Sequence, residues 1–113
     1  MADVVFINYD EGMKRMMNNH VFYVKMLTKF KNDTSLNDLE AALAEGNLEN
    51  AQSFAHTLKG TAGNLSLSEL FKQSLELETQ IKNKSVNPDQ ITVVRNVYTQ
   101  TMAEIEKVIT KNG

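Results

Sequence analysis

Apolar residues recur at helical spacing along nearly the whole chain, and this periodicity restricts the fold more than any other feature of the sequence. No segment shows the sustained period-two alternation that a half-buried strand would require. The breaks between segments are short and polar. The sequence therefore predicts an all-α fold, an antiparallel up-down four-helix bundle with a short additional N-terminal helix. The predicted helical segments cover about residues 11–18, 19–31, 35–45, 48–65, 66 or 68 to 83, and 88–111.

Polar residues at the helix starts set the expected boundaries. Asp10 is predicted to cap the first helix and Asn47 the fourth, because their side-chain oxygens can accept a hydrogen bond from a free backbone amide. Ser35 and Asp38 resemble a capping box at the start of the third helix. Asn87, which precedes a proline at the first helical position, predicts the start of the last helix.

Length, charge and cysteine content exclude several classes of protein. A chain of 113 residues is expected to form one domain over residues 1–113, with a core of about 9–110. The net charge of −2 argues against nucleic acid as a partner, and the absence of cysteine excludes disulfides and thiolate chemistry. The first apolar run, Val4–Ile7, is shorter than the roughly 7–15 residues of a signal peptide or the about 20 of a membrane span. A cytoplasmic protein without a membrane association is expected.

The fourth predicted helix carries an exposed face of unusual composition. When its apolar stripe is turned to the core, His56, Lys59, Gly60 and Gly63 share a second face at helical spacing. Each glycine inside a helix costs about 1 kcal/mol relative to alanine, but it also lets a bulky group approach the backbone. We interpret this face as a pocket for an anion held on the imidazole. The alternative is an ordinary surface histidine beside a solvated lysine.

The stretch His56-Thr57-Leu58-Lys59-Gly60, followed by Ala62-Gly63-Asn64-Leu65, resembles the histidine-containing phosphotransfer (HPt) domain of bacterial type. The family pattern is His-x-x-Lys-Gly followed by small residues. Similarity extends over about residues 9–110, including Asp10–Met13, Ala41–Asn47 and Ser68–Leu70. Ser66 departs from the family, which often has glycine at that position, and a small change in turn geometry is expected there.

The resemblance implies a phosphocarrier in a two-component multistep phosphorelay. His56 would accept a phosphoryl group from a receiver-domain aspartyl phosphate on its Nε2 atom and pass it to another receiver. Lys59 would neutralise part of the phosphoryl charge, and Gly60 would leave room for it. Glu78 would accept a hydrogen bond from the His56 Nδ1–H group and leave Nε2 free to react.

The same resemblance implies the partners. Response-regulator receiver domains are the expected partners, with a hybrid sensor histidine kinase as a further candidate. No cofactor or metal is expected on this chain, since Mg²⁺ belongs to the receiver, and His20 is expected to be a surface residue. A monomer without kinase activity is expected. The candidate docking residues are Met13, Met16, Met17, Gln52, Thr57 and Gly63.

Two other classes of function stay open at this stage. One is a helical protein-interaction domain without phosphoryl transfer, although the intact set of His56, Lys59 and Gly60 argues against a degenerate site. The other is a metal or haem bundle, which would need Glu-x-x-His pairs or a buried axial ligand. No Glu-x-x-His pair occurs in the sequence, since Ser53 and Met17 stand three residues before the two histidines.

Overall fold

The computed structural model describes residues 4–112, which form six helices and no strand. This confirms the all-α helical fold. The number of helices differs, because the described residues form six and the expected bundle of four with one short addition has five. Residues 1–3 and 113, the ends of the predicted 1–113 domain, lie outside the described residues. The helices are α1 (Tyr9–Arg15), α2 (His20–Phe30), α3 (Ser35–Ala44), α4 (Leu48–Asn64), α5 (Ser68–Lys82) and α6 (Pro88–Asn112).

Helix α4 lies at the centre of the packing, because it contacts both α3 and α5, while α6 contacts α5 and α2. The inward face of α4 carries three fully buried alanines, which let neighbouring backbones approach closely. The apolar residues that recur at helical spacing in the sequence face the core at most positions, where nearly all of them are buried or half-buried. The completely buried members include Leu27, Ala51, Ala55, Leu58, Ala62, Leu70, Leu77, Val94 and Ile105.

Two predicted N-cap residues are wrong by one or two positions. Asn8, not Asp10, caps α1, since its side-chain oxygen accepts a hydrogen bond from the Glu11 amide at 3.2 Å. Asp10 lies inside the first turn, where a carboxylate still interacts favourably with the helix dipole. Thr34, not Ser35, precedes the first residue of α3. The predicted end of the first helix at residue 18 is also wrong, because α1 ends at Arg15.

The other two predicted caps are confirmed. The Asn47 side chain accepts a hydrogen bond from the Asn50 amide at 3.0 Å, and α4 begins at the next residue. The Asn87 side chain accepts one from the Asp89 amide at 2.9 Å, and α6 begins at Pro88. Satisfied amides at these positions fix where the long helices begin.

Gly12 and Tyr23 lock α1 against the rest of the bundle. Tyr23 is completely buried, and a side chain at Gly12 would overlap its ring, so α1 can approach α2 only because residue 12 is glycine. The Tyr23 hydroxyl donates a hydrogen bond to the Leu65 carbonyl at 2.6 Å, which joins α2 to the end of α4. Burial raises the pKa of Tyr23 to about 12.

The turn between α4 and α5 holds α1 from the other side. Ser66 has a φ of 57°, in the left-handed region that glycine adopts most easily. Its hydroxyl donates a hydrogen bond to the Glu11 carboxylate at 3.0 Å, and its carbonyl accepts one from the Asn8 amide at 2.8 Å. Serine therefore keeps a backbone conformation that glycine favours, and contacts with α1 offset the strain.

Candidate functional site

The predicted site lies where α4 and α5 pack side by side. Three residues join the two helices, and a connection of this length makes them antiparallel neighbours. His56 lies in the middle of α4 with a side chain that is 70% exposed, while the Glu78 side chain on α5 is only 3% exposed. An accessible imidazole therefore stands over a buried carboxylate from the neighbouring helix.

The Glu78 carboxylate contacts both predicted polar residues of α4. His56 Nδ1 lies 3.0 Å from Glu78 Oε2, and Lys59 Nζ lies 2.8 Å from Glu78 Oε1. Burial alone would raise the pKa of Glu78, but the Lys59 and His56 side chains outweigh it and hold that pKa below its usual range. The carboxylate is thus ionised at neutral pH, accepts a hydrogen bond from His56 and forms an ion pair with Lys59.

An ionised carboxylate determines the tautomer of the histidine. Glu78 can only accept hydrogen bonds in this form, so His56 Nδ1 must carry the proton. In the neutral imidazole the other ring nitrogen, Nε2, then holds an unprotonated lone pair. No residue within 4–112 makes a hydrogen bond to this Nε2. The geometry leaves a nucleophilic nitrogen on the solvent side of the ring.

The two glycines of the predicted face have different surroundings. A side chain at Gly60 would meet no atom within 4 Å, so the surface next to Lys59 is open. A side chain at Gly63 would come within 3.1 Å of the Phe71 ring, so this glycine accommodates α5 packing instead. Of the two glycines, only Gly60 therefore contributes free space on this face. The close approach of Phe71 explains why residue 63 is glycine.

A groove of about 470 Å³ runs beside His56 between α4 and α5. The predicted residues Gln52 and Thr57 both line it, and so does Lys82, a cation that the sequence analysis missed. Lys82 lies one helical turn after Glu78, so an i, i+4 search from Glu78 would have found it. The complete lining is Glu49, Gln52, Ser53, His56, Thr57, Glu78 and Lys82.

The three predicted docking methionines of α1 and its C-terminal turn are exposed to different extents. Met13 and Met16 are half-buried and pack against the core, whereas Met17 is 90% exposed with a left-handed φ of 55°. Beside them, a second groove of about 430 Å³ joins α1 and α2 to the end of α4. Its lining is Arg15, Met16, Phe22, Met26, Thr61, Asn64 and Leu65.

Two exposed apolar residues of α2 extend this surface and were missed by the sequence analysis. Val21 is 77% exposed and Phe22 is 43% exposed. Their positions outside the buried stripe of α2 are the available sequence signal. Together with Met16, Met17 and Met26, they form what we term the α1–α2 apolar surface.

His20, expected to be a surface residue, is half-buried. Its Nδ1 atom pairs with the Tyr9 hydroxyl, and the two rings are 5.8 Å apart. In the part of the chain that the structure describes, no group of three or more potential metal-ligating side chains occurs. None of the helices among those residues has the length and apolar character required to span a membrane.

The chain matches a known protein family. A family model described as Hpt domain matches residues 25–107, which is more than half of the chain. The matched stretch contains His56, Lys59, Gly60 and Glu78, whereas α1 and the first residues of α2 lie before it. Neither the curated proteins nor the solved structures gave a match to this chain.

The lowered pKa of Glu78 predicts a specific loss of stability in acid. A carboxylate with a depressed pKa stabilises the fold above its unfolded value, 4.5, and loses that contribution as the pH falls through the folded value. At neutral pH we expect Glu78→Gln to lower the free energy of unfolding by on the order of 1–3 kcal/mol. Urea unfolding of both proteins should show this difference shrinking below about pH 4.5.

Glu76→Gln is the matched control, because it removes an exposed carboxylate from the same helix. This control should show no comparable difference from wild type at neutral pH. A difference between wild type and Glu78→Gln that stays constant from neutral to acid pH would contradict the assignment of an ionised, buried Glu78.

Proposed function

The chain belongs to the Hpt domain family, whose members transfer phosphoryl groups in phosphorelay signalling, and we propose that His56 is the residue that carries the phosphoryl group here. The observation that supports this most is the contact between His56 Nδ1 and the buried Glu78 carboxylate at 3.0 Å. It directs the reactive Nε2 lone pair to the exposed side of the ring, where a partner can reach it.

The chemical step is a direct transfer between the two proteins. The His56 Nε2 lone pair attacks the phosphorus of an aspartyl phosphate, an N–P bond forms, and the P–O bond to the aspartate breaks and releases its carboxylate. The imidazole keeps its Nδ1 proton and gains positive charge, which the Glu78 carboxylate stabilises. Return of the phosphoryl group to a receiver reverses these changes, so no proton has to leave the ring.

The neighbouring residues have separate roles in this proposal. Lys59, the lysine of α4, balances the charge of the transferred group. Gly60 leaves open surface for the phosphoryl oxygens and for the backbone of the partner. Gln52 and Thr57 line the adjacent groove, where they contact the partner. Gly63 allows Phe71 of α5 to pack against α4, and it does not provide open space for a partner.

Family members interact with receiver domains, and we propose receiver domains as the partners of this chain. The group passes from one receiver to another in the cytoplasm, with a hybrid sensor kinase as a further candidate donor, and Mg²⁺ resides on the receiver. The chain works as a single monomeric domain without kinase activity of its own. Four helices arranged up and down form the bundle, with α4 between α3 and α5.

The α1–α2 apolar surface is the proposed docking site for the receiver. It continues from α1 and α2 onto the Thr61–Asn64 end of α4, the helix that carries His56. Met17 is 90% exposed, so its apolar side chain is available to a partner. Methionine adapts to different partner surfaces, while Met13 supports the surface from below through its contact with the core.

Phosphoryl transfer from a receiver tests the central residue. We expect radiolabel to move from a phosphorylated receiver domain to the wild-type chain as acid-labile, base-stable phosphate, and His56→Gln to abolish it. His20→Gln is the matched control, because it changes the other histidine, and it should retain the label. A folded wild-type chain that no receiver labels would favour the alternative, an interaction domain without phosphoryl transfer.

Substitutions on the α1–α2 apolar surface test the docking proposal. Met17→Asp and Phe22→Ala remove exposed apolar contacts, so we expect each to weaken receiver binding roughly tenfold, as at a typical interface anchor. Calorimetric titration with the unphosphorylated receiver measures this effect, and thermal unfolding shows whether the fold is intact. Val93→Ala, an exposed apolar position on α6, should bind like wild type. Equal affinity of all four proteins would exclude this surface.

A further inference from the structure

Lys59 is already engaged before any phosphoryl group arrives. Its Nζ atom lies 2.8 Å from Glu78 Oε1, and its side chain is only 20% exposed. The same carboxylate receives His56 Nδ1 at 3.0 Å through its other oxygen. The buried Glu78 carboxylate on α5 therefore contacts both His56 and Lys59 of α4.

A phosphoryl group on His56 would compete with Glu78 for this lysine. The two nitrogens of an imidazole point in different directions, so a group on Nε2 stands on the exposed side of the ring, away from the carboxylate that contacts Nδ1. A phosphoryl group carries nearly two negative charges and several strong acceptor oxygens, whereas the carboxylate carries one charge. A lysine has a flexible stem and three donors, so its ammonium can move between them.

We propose that Glu78 acts as a positioning residue that releases Lys59 on loading, so that the Lys59–Glu78 ion pair of the free protein breaks when His56 is phosphorylated. This inference rests on the proposed role of His56 and concerns the charge balance of the same site. Glu78 then keeps the Nδ1–H group of the phosphorylated ring as its remaining partner. The positive charge that the ring gains on N–P bond formation takes the place of the departed ammonium beside the carboxylate.

Breaking this pair would keep the phosphoryl group transferable. A carrier must not bind its phosphoryl group so tightly that the next receiver cannot remove it. Breaking a buried ion pair is unfavourable, and this offsets part of what Lys59 gains from the phosphoryl oxygens. When the group leaves, Lys59 returns to Glu78.

The groove also contains Lys82 and Glu49, and neither forms an ion pair with another residue in the described part of the chain.

A double-mutant cycle isolates the Lys59–Glu78 pair. The equilibrium constant for transfer between a phosphorylated receiver and His56 is measured for wild type, Glu78→Gln, Lys59→Gln and the double variant. The receiver is one from which the wild-type chain has been shown to accept phosphate. Loss of carboxylate stabilisation at Nδ1 occurs in both lysine backgrounds and cancels in the cycle. Circular dichroism and thermal unfolding verify that each variant is folded.

The sign of the coupling decides the outcome. The quantity compared is the change in the transfer equilibrium constant that Glu78→Gln causes, first with Lys59 present and then with glutamine at residue 59. With Lys59 present, we expect this change to lie about tenfold further toward phosphorylated His56, as for the loss of one ion pair of a buried carboxylate. No coupling would overturn the inference, and so would coupling of the opposite sign, which would mean that Lys59 bridges both anions. Absence of label on the wild-type chain would instead overturn the proposed function, so the two failures are distinguishable.

Discussion

The buried Glu78 carboxylate is the interaction on which the site depends. An ionised group that is 3% exposed is costly unless it is paired, and both of its partners come from α4, at His56 and Lys59. Helices α4 and α5 must therefore keep one register for the charge to be satisfied. The small buried residues Ala55 and Ala62 allow α4 to approach its neighbours closely enough for this. The packing of the core and the chemistry of the surface are thus coupled through one side chain.

A second set of contacts orients α1 relative to this site. Tyr23 fills the space left by Gly12 and bonds to the Leu65 carbonyl at the end of α4. Ser66, in the next turn, contacts α1 through Glu11. Because these contacts converge on the same end of α4, the methionines of α1 and its turn lie at a fixed position relative to the helix that bears the histidine. These contacts therefore connect the exposed apolar surface to the helix that carries the exposed imidazole.

The sequence predicted those features that depend on local periodicity. The buried stripes of α4, α5 and α6 follow from apolar spacing alone, and Asn47 and Asn87 cap helices as expected. Features that depend on contacts between helices were harder to predict from the sequence. Glu78 entered only through the family resemblance, and the contact of Gly63 with Phe71 joins two helices whose relative register no periodicity defines. Lys82 and Phe22 each have a sequence signal, in the spacing from Glu78 and in the position outside the buried stripe of α2, but only the grooves between helices show that they line a site.

The protonation state of the two His56 ring nitrogens tests this account most directly, because the attack on the aspartyl phosphate requires a free Nε2 lone pair. Nitrogen-15 NMR of the unphosphorylated protein above the titration range of the imidazole distinguishes the two tautomers. The contact with Glu78 predicts a protonated Nδ1 and an unprotonated Nε2, and it predicts that Glu78→Gln, whose amide can also donate, weakens this preference. A proton on Nε2 in the wild-type protein would contradict the account.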